Sequence, residues 1–114
     1  MKIRLFISFI ILIAFSSFQP NQLKKIDPCT VAGVVFIETS KQRADYVIYM
    51  EESEAFADLV VFKEDNKLFA DEPGHWYFTD KRDLADFYVY ISDDNSNVDF
   101  SIFYTEESAY AGCK

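Results

Sequence analysis

ADYVIYMEESEAFADLVVF, residues Ala44 to Phe62, states one pattern twice. Ala44-Asp45 opens an apolar run, acids and a short Ala-bearing stretch follow, and Ala57-Asp58 opens the next run. The pattern continues in both directions. Its small residue recurs at Ala44, Ala57, Ala70, Ala85, Val98 and Ala111, at spacings of 13, 13, 15, 13 and 13. Asp follows at Asp45, Asp58, Asp71, Asp86 and Asp99, and Gly112 takes that place at the last. VAGVVFIETSKQR (residues 31–43) is a first unit, and AGCK (residues 111–114) begins a seventh. The one irregularity is two additional residues around Glu72-Pro73-Gly74, a turn-like insertion. A fixed period of this kind marks a repeat architecture and governs how every other feature is read.

Within each unit, runs such as YVIYM (46–50), LVVF (59–62) and FYVYI (87–91) are β-branched and aromatic. They are too short for helices and read as strands. Glu51-Glu52-Ser53-Glu54-Ala55-Phe56-Ala57 and Glu106-Glu107-Ser108-Ala109-Tyr110-Ala111 read as acids leading into a single capped helical turn. The strands do not alternate: Tyr46/Ile48 and Val47/Tyr49 are both apolar, so both faces are expected to be covered. The short turns or other strands must supply the cover. A meander barrel would alternate. Parallel pairing of consecutive strands needs a crossover of about a dozen residues, and only about seven are present. A compact ring remains, in which consecutive strands are not simple neighbours. The expected fold class is mainly β with one-turn helices (a β-rich α+β arrangement), built from about seven 13-residue strand–turn repeats.

MKIRLFISFIILIAFSSFQP carries basic Lys2 and Arg4, an apolar run from Leu5 to Phe15, and the small-x-small site Ala14-Phe15-Ser16. That is the layout of a secretory signal peptide cleaved after Ser16. The apolar run is shorter than the roughly 20 residues a spanning helix needs. The expected organisation is a signal peptide over 1–16, a short linker over 17–28 and a repeat domain over 29–114, secreted or periplasmic. Removing residues 1–16 takes the formal charge from −8 to −10. So acidic a chain is a poor partner for nucleic acid or, once cleaved, for an anionic membrane surface. A monomer with an unidentified protein partner is the expectation.

Cys29 and Cys113 are the two cysteines. Export favours one intramolecular disulfide, with two free thiols or an intermolecular bond as alternatives. Two Cys and one distant His make no zinc ligand set. His75, the single histidine, occupies the strand position of Val47 and Val60, and its chain neighbours Gly74, Trp76 and Tyr77 offer no catalytic partner. The recurrent Asp residues read first as acceptors for backbone N–H groups at turn-to-strand junctions. Binding of a small molecule or a cation, such as Ca²⁺, by those carboxylates is the alternative. Asp93-x-Asn95-x-Asn97 begins like a calcium loop but has Val98 where Gly belongs and Tyr104 in place of the closing Glu. Tyr46, Tyr49, Tyr77, Tyr88, Tyr90, Tyr104 and Tyr110 read as core or half-buried. The expectation is a non-enzyme with no catalytic residues, no metal and no cofactor.

The unit reads Ala-Asp, apolar run, acid, Ser or Asp, closing aromatic-Ala. In ADYVIYMEESEAFA (44–57), ADLVVFKEDNKLFA (57–70), GHWYF (74–78) and YAGCK (110–114) it resembles the septoil-knot domain family over about Cys29 to Lys114. The resemblance implies a seven-unit ring whose backbone traces a seven-crossing torus knot, with no known catalytic residue, cofactor or substrate. In such a ring the first and last units are neighbours, and the sulfurs of Cys29 and Cys113 meet. Val98 in place of Ala, and Asp93-Asp94-Asn95-Ser96-Asn97 in place of an aromatic-bearing turn, leave the fifth unit less well specified.

Overall fold

The computed structural model describes residues 26–113; the expected signal peptide, 1–16, and most of the expected linker, 17–25, lie outside them. Six strands run β1 (Gly33–Ile37), β2 (Tyr46–Met50), β3 (Leu59–Lys63), β4 (His75–Phe78), β5 (Phe87–Ser92) and β6 (Phe100–Thr105). Three-residue 3-10 turns lie between or beside them: η1 (Pro28–Thr30), η2 (Lys41–Arg43), η3 (Glu54–Phe56), η4 (Lys67–Phe69), η5 (Arg82–Leu84) and η6 (Ser108–Tyr110). The expected helical turns are thus 3-10, with no α-helix among the described residues, so the α+β label gives way to a β-rich one. Side-chain capping is selective. Asp27, Ser53 and Asn66 accept an N–H from the turn they precede, whereas Ser108 lies inside η6 and Glu107 makes no such bond.

The strands form a closed barrel in the order β1-β4-β3-β6-β2-β5, and every pairing is parallel. Most partners are three or four units apart in sequence, which gives each parallel pair its long crossover. The exception is β3 with β4, joined by the eleven residues 64–74. That connection contains the two-residue insertion. The irregularity in the period therefore marks the one place where consecutive strands pair. Gly112, all that pairs from the seventh unit, forms an antiparallel bridge with Val60 beside this seam.

Register is shared. Tyr46 faces Val89 and Leu59 faces Ile102, and Gly33 faces Trp76 in the same way. Each pair sets a first strand place against a third, so Trp76 holds the third place of its unit. The third-place residues Val35, Ile48, Val61, Trp76, Val89 and Ile102 are all completely buried. They form the axis of the core with Leu59, Phe87, Phe100 and Val31. Burying each such side chain stabilises by about 1.5–3 kcal/mol. The fourth places are Phe36, Tyr49, Phe62, Tyr77, Tyr90 and Phe103, aromatic without exception and half-buried. They point outward by strand alternation. The 3-10 turns cross this outer side, η3 against β6, η6 against β3 and η4 against β4. This cover removes the alternation from the sequence.

Candidate functional site

Four of the five recurrent Asp residues tie one unit to another. Asp86 donates its N–H to the Val34 carbonyl at 2.7 Å and accepts the Val34 N–H on its carboxylate at 2.8 Å. Asp99 and Val47 repeat this bond for bond, at 2.7 and 2.6 Å. Asp45 does so with Tyr88, and Asp58 with Ser101, whose hydroxyl also reaches the Asp58 carboxylate. The carboxylates are therefore backbone acceptors at turn-to-strand junctions. Asp71, in the unit lengthened by the insertion, sits on an exposed turn and does not take this part. Among the described residues no group of three or more His, Cys, Asp or Glu side chains is placed to hold a metal ion. In the segment 93–97, Asp94 bonds the hydroxyl and N–H of Ser96, which hold its carboxyl below the usual range. Asn97 adopts the left-handed conformation there, φ 58°.

His75 has a partner its chain neighbours did not offer. Its Nδ1 lies 2.5 Å from Glu64 Oε2, and both side chains are largely buried. β3 ends at Lys63 and β4 starts at His75, so the pairing of these two strands brings together residues eleven apart. The pair borders a shallow cleft of about 450 Å³ walled by Phe62, Phe69, Asp71, Glu72 and Ser108. A carboxylate at Nδ1 orients an imidazole; among the described residues no hydroxyl or thiol hydrogen-bonds to the ring, and Ser108 borders the same cleft. Glu38, in the place Glu64 holds in its own unit, is 4% exposed and receives Arg82 Nε at 2.5 Å. Arg82 also stacks 4.4 Å over the Tyr88 ring. The recurrence of an acid just after β1, β2 and β3 was the available signal for both pairs.

Next to Glu64 in the chain, Lys63 lies 4.1 Å over the Tyr104 ring and 5.3 Å over Phe78. Burial pushes the Tyr104 phenol up to about 12. Tyr46, Tyr49, Tyr77, Tyr88, Tyr90 and Tyr104 are half-buried as expected; Tyr110 is not, at 66% exposed. It ends η6 as Phe56 ends η3 and Phe69 ends η4, and those rings are 74% and 61% exposed. The closing aromatic of each of these units thus faces outward.

Cys29 and Cys113 are joined, with Cα atoms 5.4 Å apart and a sequence separation of 84. Beside them Gly74, φ +84°, presses on the seam. A Cβ there would stand 2.4 Å from both Gly112 N and the Val60 carbonyl oxygen. No helix among the described residues is long and apolar enough to cross a membrane.

No curated protein and no solved structure matches the chain. The repeat, the parallel barrel and the joined ends agree with the match of the 7(1) septoil knot domain to residues 28–114, and the chain belongs to that family.

Proposed function

We propose that the chain is an exported, non-enzymatic domain that serves as a binding or structural module, its backbone a knotted ring of seven units. The strand order supports seven positions. Stepping three units at a time around a ring of seven gives 1-4-7-3-6-2-5, and the observed order is this one with the seventh place empty of a strand. Gly112 bridges Val60 at that place. Closure of the ends by a disulfide favours an oxidising compartment.

The observation that carries the reading is the exposure of Phe56 and Tyr110 on turns whose ends are bonded to the closed barrel, with Phe69 exposed on η4 beside them. Exposed apolar groups on a fixed frame suit recognition of a partner. Four of the recurrent carboxylates already accept backbone N–H groups, which weighs against their serving as a cation or small-molecule site. Expression of the full chain, fractionation and in-cell cross-linking test the proposal. The expected product begins after Ser16, holds a closed disulfide and forms a discrete adduct. Reduced protein retained inside the cell with residues 1–16 attached would contradict export, and the absence of any adduct would contradict the binding role.

A further inference from the structure

The turns at 51–57 and 106–111 carry nearly one sequence, acid-acid-Ser followed by a closing aromatic-Ala, although four units separate them. The fold sets them side by side. Asp58, at the end of the first turn, is bonded to Ser101 of β6, and Gly112, at the end of the second, to Val60 of β3. β3 and β6 are paired neighbours. Two acid–aromatic modules therefore lie on adjacent strands, with Phe56 and Tyr110 exposed at 74% and 66%. Phe69 extends the row, because its ring and Ser108 of η6 border the same cleft.

The two turns carry one sign of charge. Neither contains Lys or Arg, and Glu51, Glu52, Glu106 and Glu107 belong to them, whereas Lys67 lies on η4, the turn that carries Phe69. Lys63 of β3 is engaged over the Tyr104 and Phe78 rings. Lys41 and Arg43 belong to η2, tied by Asp45 to β5, and Lys81 precedes and Arg82 begins η5, tied by Asp86 to β1. β5 and β1 are neighbours on the far side of the strand order from β3 and β6. The acidic side is also held in place: the Ser101 hydroxyl donates to the Phe56 carbonyl, and Gly112 and Val60 exchange both backbone bonds. A fixed surface loses little freedom on binding.

We propose that these paired turns are a docking face for a cationic segment of a partner protein that carries apolar side chains. Its Lys or Arg groups meet the four glutamates, and its apolar groups cover Phe56 and Tyr110. The proposal rests on the binding-module reading and names the face and the chemistry of its partner.

The test titrates the oxidised chain at about 0.15 M salt, where charges more than roughly 8 Å apart are screened. One ligand is an amphipathic Lys/Leu peptide, the other a Lys/Ser peptide of equal length and charge. The Lys/Leu peptide is expected to bind at least about tenfold more tightly. Phe56→Ala with Tyr110→Ala is expected to weaken it by about tenfold with the melting temperature unchanged. Leu84→Ala, which removes another exposed apolar group near the start of β1, should change affinity by less than about twofold. Equal affinity for the two peptides, or an effect of Leu84→Ala equal to that of the double variant, overturns the proposal. Chemical shifts moving only around η2 and η5 overturn this face while leaving the binding-module reading standing. That reading fails separately, by the absence of any cross-linked partner.

Discussion

The Asp86 carboxylate accepts the N–H of Val34 at 2.8 Å while Asp86 returns its own N–H to the Val34 carbonyl at 2.7 Å, across 52 residues of chain. One aspartate thereby fastens the fifth unit to the first. Bonds to a charged acceptor contribute about 1.5–3 kcal/mol, less where solvent reaches them. Asp86→Ala is expected to destabilise by about 1–2 kcal/mol in urea unfolding, and Asp71→Ala by no more than about 0.5 kcal/mol. Equal losses at both positions would mean that the junction bond contributes nothing specific.

Of the glycines, Gly74 is the most closely hemmed in by backbone. A methyl group there meets backbone atoms of Gly112 and Val60, neither of which has a flexible end to move aside. Its φ of +84° adds strain for any residue with a Cβ. Gly74→Ala is expected to destabilise by about 3 kcal/mol or more, read as a shift of the denaturant midpoint. A midpoint matching the unsubstituted protein would show that the seam at β3 and β4 is looser than described.

Tyr104 sets a direction for alkaline stability. Its ordinary value is 10.0, and burial raises the folded-state value to about 12. Between those values the folded chain keeps a proton that the unfolded chain has released, so stability falls as pH rises through this window. Below pH 10 this group causes no loss. Tyr104→Phe keeps the ring that Lys63 stacks on and removes only the phenol, so it is the comparison that isolates that group. The variant's melting temperature should decline less steeply than the parent's between pH 10 and 12; parallel declines would contradict the assignment.

The disulfide between Cys29 and Cys113 spans nearly the whole described chain. The chain-entropy account gives about 4–5 kcal/mol for so long a loop, as an upper figure. Reduced protein is expected to unfold far faster than oxidised protein, and native oxidised protein to resist trypsin. Equal unfolding half-lives with and without reductant, or rapid digestion of the oxidised form, would count against end closure as the fastening step.

The repeat made the strands and the junction role of the Asp residues legible, because each depends on local pattern; that the third places alone are completely buried in every unit was not. Pairing order was not legible beyond the separation of most consecutive strands, and β3 with β4 departs even from that. Val35, Ile48, Val61 and Val89 are chemically near-equivalent, so none specifies which strand it meets. The Glu64–His75 contact was hidden for a related reason: it exists only because the insertion lets β3 and β4 pair. The two acid–aromatic turns could be read as alike, but their adjacency follows from the β3–β6 pairing alone. The family resemblance supplied what local pattern lacked, that first and last units meet.

Inter-strand nuclear Overhauser effects in the oxidised protein test the topology most directly. Cross-peaks are expected between β1 and β4, as at Val34 and Tyr77, and between β1 and β5, as at Phe36 and Tyr88. None is expected between β1 and β2, which are not paired. A continuous set of cross-peaks linking β1 to β2 and β2 to β3 would contradict the ring of distant partners described above.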